Sequence, residues 1–271
     1  MKTFIRNGRI AEKFSELKSR GEKALITFIT AGDPDLAATK KIISRLEGSG
    51  ADIIELGIPF SDPMADGPTI QASSERAVHK GVRLKDVLGL VNEVRETSEI
   101  PIVLFGYYNP IFQYGLKRFA RDAKKAGADG VLVVDLPAEE ADELKTELDK
   151  ESIDFIFLLT PTSTEERIRI VAGKASGFIY FVSVTGVTGA RKKLSAKVAG
   201  YVKKVRKHIS IPIGVGFGIS TPEQVKEVCS YSDAVIVGSA IVNIIGSPGG
   251  RENLYKEVGS FVSGLKKGTL T

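Results

Sequence analysis

Eight short apolar runs recur along this chain, and each is followed by a stretch with helical character: 24–30, 51–57, 101–109, 128–135, 153–160, 177–184, 211–218 and 233–238. They are rich in Val, Ile, Leu and Phe at successive positions, the pattern of strands buried on both faces. Strict alternation of strand and helix implies a parallel sheet, because parallel neighbours need a crossover connection. Eight repeats within 271 residues match the roughly 250 residues of a (β/α)8 TIM barrel, and favour it over an open doubly wound sheet. No linker or shift in composition divides the chain, so one barrel domain spanning 1–271 is expected. Ahead of the first strand, IAEKFSELKS places Ile10, Phe14 and Leu17 on one helical stripe, suited to an N-terminal helix that caps the bottom of the barrel.

The punctuation between the runs carries its own expectations. Asp35 caps the helix after the first strand. Strand three is expected over Pro101–Asn109, followed by a loop, NPIFQYG, and then the helix LKRFARDAKKAG. In TSTEERIRIVAGKA, Ser163 with Glu three residues later reads as a capping box. Thr221-Pro222 reads as an N-cap with proline at the first helical position. The last helix is read as YKEVGSFVSGLKK. An Ala-Asp or Asp-Ala pair precedes three strands, at Ala51-Asp52, Ala128-Asp129 and Asp233-Ala234.

Composition narrows the function. The formal charge of +5 arises from 38 basic and 33 acidic residues spread over helices, which reads as solvated faces. A nucleic-acid surface would gather its charge on one face with aromatic platforms, and none is visible. One cysteine, Cys229, precludes an internal disulfide and reads as a buried helix residue. With two histidines and that cysteine, a His/Cys metal site is not expected. The N-terminus has no apolar targeting core and no run is long enough to cross a membrane, so a cytoplasmic protein is expected. One cysteine, two methionines and no tryptophan hint at a thermophile.

The chemistry concentrates in Ile53 to Gln71, IIELGIPFSDPMADGPTIQ. Glu55 interrupts an apolar strand, where an ionised carboxylate is unfavourable unless something uses it. Beyond Gly57, three prolines shape a loop holding Ser61, Asp62 and Asp66. One acid on a strand and a second on the loop after it can hold different pKa values and take different roles. The ends of strands seven and eight and the loop after strand six are rich in glycine: Gly214, Gly216 and Gly218, then Gly238-Ser239, with Gly186 and Gly189. Glycine lets backbone N–H groups approach an anion, and a helix beginning at Ser239 adds its dipole, so these ends read as a phosphate cradle. Lys23 and Lys174 precede strands and fall on the opposite face, so acid–base chemistry is preferred to a Schiff base.

Taken together, ELGIPFSDPMADGPTIQ, GVTGAR, GFGIS and VGSAIV resemble the tryptophan synthase alpha subunit, over nearly the whole chain from TFITAGDPD to SAIVNII. The resemblance implies a cofactor-free retro-aldol cleavage of indole-3-glycerol phosphate to indole and glyceraldehyde 3-phosphate, with no metal. It assigns Glu55 as the acid–base residue and Asp66 as acceptor of the indole N–H. Tyr180 would contact the glycerol part or orient Glu55, and Thr188 would close over the site and bond Asp66. Gly189, Gly218, Gly238 and Ser239 would hold the phosphate. Phe28, Ile70 and Phe217 would line the indole pocket. Phe105-Gly106 departs from the Leu-Met of another member and would alter the pocket wall. The resemblance also implies a beta subunit in an alpha2-beta2 assembly, docking near Asp62 and the loop of Tyr107, Tyr108, Asn109 and Pro110, whose aromatic and proline-rich character suits an interface or a pocket rim. A stand-alone indole-forming lyase, or a subunit that only activates its partner, would carry much the same sequence. A phosphate-binding barrel isomerase would share the cradle but lack the Glu55–Asp66 pair.

Overall fold

The computed structural model describes residues 8–183, 191–216 and 218–270. Its elements run α1 (Arg9–Ser19), β1 (Ala24–Thr30), α2 (Leu36–Gly48), β2 (Ile53–Gly57), α3 (Pro68–His79), α4 (Leu84–Val94), β3 (Ile102–Gly106), α5 (Tyr108–Tyr114), α6 (Leu116–Ala126) and β4 (Gly130–Val133). They continue with α7 (Asp142–Lys150), β5 (Asp154–Leu159), α8 (Glu165–Lys174), β6 (Ile179–Val182), α9 (Arg191–Arg206), β7 (Ile213–Gly216), α10 (Pro222–Cys229), β8 (Ala234–Val237), α11 (Ser239–Gly246) and α12 (Arg251–Lys266). All eight strands pair in parallel, in sequence order, and β8 returns to β1 to close the barrel. This is the (β/α)8 architecture that the alternation predicts.

Alternate residues of each strand point into the lumen. At its N-terminal end the lumen is filled by Ile26, Ile53, Val103, Leu132, Ile156 and Ile236, with Ile10, Phe14 and Leu17 of α1 packed against them. The amphipathic stripe of α1 therefore plugs the bottom of the barrel, as expected. The other strand faces pack with the surrounding helices in a second, larger core. Because the lower lumen is filled, a cavity within the barrel itself opens at the C-terminal ends of the strands.

The recurrent aspartates have a shared task. Asp52, Asp129 and Asp233 each accept a hydrogen bond from the first or second N–H of the preceding strand: Leu25 at 2.7 Å, Ile102 at 2.8 Å and Ile213 at 2.9 Å. Each also pairs with one cation at 2.7 Å, Lys266, Arg95 and Arg206 respectively. Arg9 of α1 joins the Asp129 pair at 3.1 Å, which ties the plug to the barrel.

Four local expectations need correction. The segment read as the loop NPIFQYG, with Tyr108, Asn109 and Pro110, is the helix α5. Strand three stops at Gly106 rather than Asn109. The cap of α8 is Thr164, whose hydroxyl accepts from Arg167 N, while Ser163 Oγ accepts from Thr160 N at 3.0 Å. The last helix begins at Arg251, earlier than its apolar periodicity indicates. By contrast, the Asp35 cap of α2 and the Thr221 capping box with Pro222 at the start of α10 form as read.

Replacing Asp129 with Ala removes the carboxylate partner of Arg95, which is only 11% exposed, and the acceptor of the Ile102 N–H. Breaking such a buried pair typically destabilises by about 3–5 kcal/mol. Urea unfolding of Asp129→Ala is expected to show a loss of that size, and a change below about 1 kcal/mol would mean that the clamp contributes little.

Candidate active site

The site is built by continuing each strand one step past the apolar floor. On β2, Ile53 lies in the lower lumen layer and Glu55, two residues on, enters the layer above. Its neighbours in register are Phe28 on β1 and Val103 on β3. The Glu55 side chain is fully buried, and neither carboxyl oxygen has a hydrogen-bond partner among the described residues. Removal from water disfavours the charged form, and burial alone pushes the Glu55 carboxyl up to about 8. The acid is neutral at pH 7.

Above Glu55 opens a cavity of about 360 Å³. Phe28, Glu55, Asp66, Ile70, Tyr180, Gly218, Gly238 and Ser239 all line it. One cavity thus collects every described residue to which the family resemblance gives a catalytic, phosphate or indole-pocket role. Gly186, Thr188, Gly189 and Phe217 lie outside the described residues. Phe105, Leu158 and Asn243 also line the cavity. Phe105 meets Phe28 edge to face, with ring centroids 5.0 Å apart. Leu158 could have been found by counting two residues on from the lumen residue Ile156. Asn243 has no such signal, since its place depends on how α11 crosses the barrel mouth.

Asp66 approaches from the loop between β2 and α3. It is half-buried and accepts a hydrogen bond from the Tyr107 hydroxyl at 3.0 Å. Burial raises its pKa, and the Tyr107 bond opposes that rise. The two acids therefore differ as their positions suggest: Glu55 is sealed in an unpartnered apolar setting, and Asp66 keeps a donor and access to the cavity. Tyr180 enters from β6, and burial raises its pKa, with the negative charges of Glu55 and Asp66 adding to the effect. Its hydroxyl makes no hydrogen bond to Glu55, and it lines the same cavity.

The glycines divide into two groups. A Cβ on Gly216 would come within 2.6 Å of the Tyr180 hydroxyl, and one on Gly214 within 3.0 Å of Ile236. These two positions make room for lumen side chains and do not line the cavity. Gly218, at φ +67, and Gly238 line the cavity itself. Gly238 is the N-cap of α11 and lines the cavity with Ser239 and Ala240, so the N-terminus of that helix lies at the cavity. No cluster of three or more potential metal ligands occurs among the described residues.

A closed parallel barrel with two unequal carboxyl groups and a helix N-terminus converging on one cavity defines a barrel enzyme of the acid–base type. Comparison with known proteins narrows this. The family model for the tryptophan synthase alpha chain matches residues 14–269. The tryptophan synthase alpha chain of Geotalea uraniireducens is 58% identical over 260 residues, spanning 96% of this chain and 97% of that one. That of Thermoanaerobacter sp. is 50% identical over 259 residues, spanning 96% and 98%. The crystal structure of tryptophan synthase subunit alpha from Legionella pneumophila superposes with a TM-score of 0.90 at 38% identity, over 97% of this chain and 99% of that chain. The chain belongs to the tryptophan synthase alpha chain family. The alpha subunit is the lyase that cleaves indole-3-glycerol phosphate in tryptophan biosynthesis, and the family pairs with a beta subunit.

The buried acid has a consequence for stability. In the unfolded chain Glu55 ionises near 4.5, and in the folded chain near 8. The folded state holds the proton more tightly, so stability is unaffected below 4.5, falls as pH rises between the two values, and is flat above 8. The deficit at pH 7 is on the order of 3 kcal/mol. Glu55→Gln removes it, so the variant is expected to melt above the wild type at pH 7 and level with it at pH 4. Equal melting at both pH values would mean that Glu55 titrates normally.

Proposed function

We propose that this chain, acting as one barrel domain in the cytoplasm, cleaves indole-3-glycerol phosphate with Glu55 as acid and base. The observation that carries this reading is the buried Glu55 carboxyl, without a hydrogen-bond partner among the described residues, lining one cavity with a loop-borne Asp66. Substrate lies with its ring among Phe28, Ile70 and Phe105, and its phosphate at Gly218, Gly238 and Ser239, where backbone donors and the α11 dipole favour an anion. Gly189, Thr188 and Phe217 complete the cradle, the closure and the ring pocket in this reading.

Glu55 first gives its proton to indole C3. The positive charge that appears on the ring is shared by the ring nitrogen, whose N–H donates to the Asp66 carboxylate. The bond from C3 to the side chain then breaks. Its electron pair returns to the ring, and the carboxylate of Glu55 takes the proton from the hydroxyl on the departing carbon, which becomes the aldehyde. Glu55 ends protonated, indole and glyceraldehyde 3-phosphate are released, and no group outside the chain and substrate is consumed. Tyr180 contacts the glycerol portion. The scheme needs Glu55 protonated and Asp66 ionised, so kcat/KM falls above pH 8 and again at acid pH.

The partner in this reading is a beta subunit in an alpha2-beta2 assembly. The loop after β2 exposes Met64 to 92%, and α5 exposes Phe112 to 53%, with Tyr108, Asn109 and Pro110 on the same helix and Asp62 beside Met64. Large apolar side chains held out in water next to an active-site mouth support an interface there.

Glu55→Gln and Asp66→Asn keep shape and remove the proton or the charge. Each is expected to slow indole release by about 10² to 10⁴, the range for general acid–base groups, with an unchanged circular dichroism spectrum. Near-normal turnover by Glu55→Gln would overturn the assignment. Asp62→Ala is expected to lose most of the rate gain on titration with beta subunit while keeping the activity of the free chain. Full stimulation of that variant would make Asp62 a turn residue only.

A further inference from the structure

We infer that Tyr107 is the positioning residue that presents Asp66 to the substrate, an inference that rests on the reading of Asp66 above. Tyr107 is only 5% exposed, yet its hydroxyl uses both of its capacities on the Asp66 loop. It accepts a hydrogen bond from Ala65 N at 3.0 Å and donates one to Asp66 Oδ2 at 3.0 Å. One hydroxyl thus fixes both the backbone of the loop and the direction of its carboxylate. The remaining ties of this turn bear on backbone oxygens: Gln71 Nε2 reaches Asp66 O at 2.8 Å, and Asp66 N reaches Pro63 O at 3.1 Å. Neither orients the carboxylate.

Tyr107 is itself held from two sides. Its ring lies against Phe60, with centroids 5.2 Å apart. It is also the N-cap residue of α5, and the next N–H, that of Tyr108, donates to Asp135 Oδ1 at 2.7 Å. Asp135 follows β4, so the hydroxyl that sets Asp66 is anchored to a different part of the barrel from the loop that carries it. Any displacement of the start of α5 is passed to Asp66 through a single side chain.

The bond is also electrostatic. The charges felt at this bond are those of acids: Asp66 and Asp135 act on Tyr107, and Glu55 and Asp66 act on Tyr180. Among the described residues, the Tyr107 hydroxyl is the side-chain donor that favours the ionised carboxylate against burial. Taking it away raises the pKa of Asp66, so the acid limb of the rate profile must move to higher pH.

The test is Tyr107→Phe, which deletes the hydroxyl and keeps the ring on Phe60. Indole release is followed from pH 5 to 9 beside Asp66→Asn and a packing control, Phe60→Leu. The expected result is kcat lower by about tenfold or more, as for a lost hydrogen bond to a charged group, with KM changed by less than about threefold and the acid limb of kcat/KM moved to higher pH. Phe60→Leu keeps the hydroxyl and is expected to leave the limb in place. An unmoved limb in Tyr107→Phe overturns the inference whatever happens to turnover, and so does a limb that moves equally in Phe60→Leu. If these occur while Asp66→Asn is inactive, the assignment of Asp66 stands and only the role of Tyr107 falls. Near-normal turnover by Asp66→Asn would remove both.

Discussion

The arrangement turns on one unfavourable interaction: a carboxyl group taken out of water in the barrel lumen and given no hydrogen-bond partner among the described residues. Glu55 sits one layer above a solid apolar floor, and that floor exists because α1 closes the bottom of the barrel with Ile10, Phe14 and Leu17. Were the lumen open below, water would reach the acid and its pKa would return toward that of an exposed carboxyl. A cation on any neighbouring strand would have the same effect. The lumen positions of β7 next to Tyr180 and Ile236 are instead glycines, which supply space and no charge. The neutral acid is thus a product of the whole barrel, and the clamps at Asp52, Asp129 and Asp233 help to hold that barrel closed beneath it.

The second acid obeys different constraints. Asp66 must stay ionised beside the first, so it sits on a loop and is half-buried. A loop is a poor platform for a group that has to be placed to a fraction of an ångström, and the structure compensates by tying it to the start of α5. The same loop carries exposed Met64, and α5 carries exposed Phe112, so the surface offered to a partner and the hold on Asp66 belong to the same two segments.

The barrel was legible because parallel strands buried on both faces leave unmistakable apolar runs, and eight of them in this length admit few other closures. Glu55 was legible for the same reason: a carboxylate inside such a run has no structural excuse. Where the reading failed, long-range contacts decide the local structure. The helix α5 begins directly after strand three, its aromatic start prolongs the apolar run, and Pro110 suggests a loop, although proline is tolerated in a first helical turn. Its start is set by Asp135, more than twenty residues away. Thr164 rather than Ser163 caps α8, a choice between adjacent hydroxyls that periodicity does not resolve. Glycines that admit Tyr180 and glycines that line the cavity look identical in sequence, because the difference lies in which side chain stands opposite. Tyr107 as the partner of Asp66 is likewise a contact made across the barrel mouth.

The central claim is that Glu55 is held neutral by desolvation. The direct measurement is the 13C chemical shift of its side-chain carboxyl carbon, assigned by comparison with Glu55→Gln and followed by NMR in the ligand-free chain from pH 4 to pH 10. The account predicts an inflection near 8, well above the ordinary glutamate value of 4.5. An inflection near 4.5 would show a solvated, ionised carboxylate at neutral pH and would contradict it.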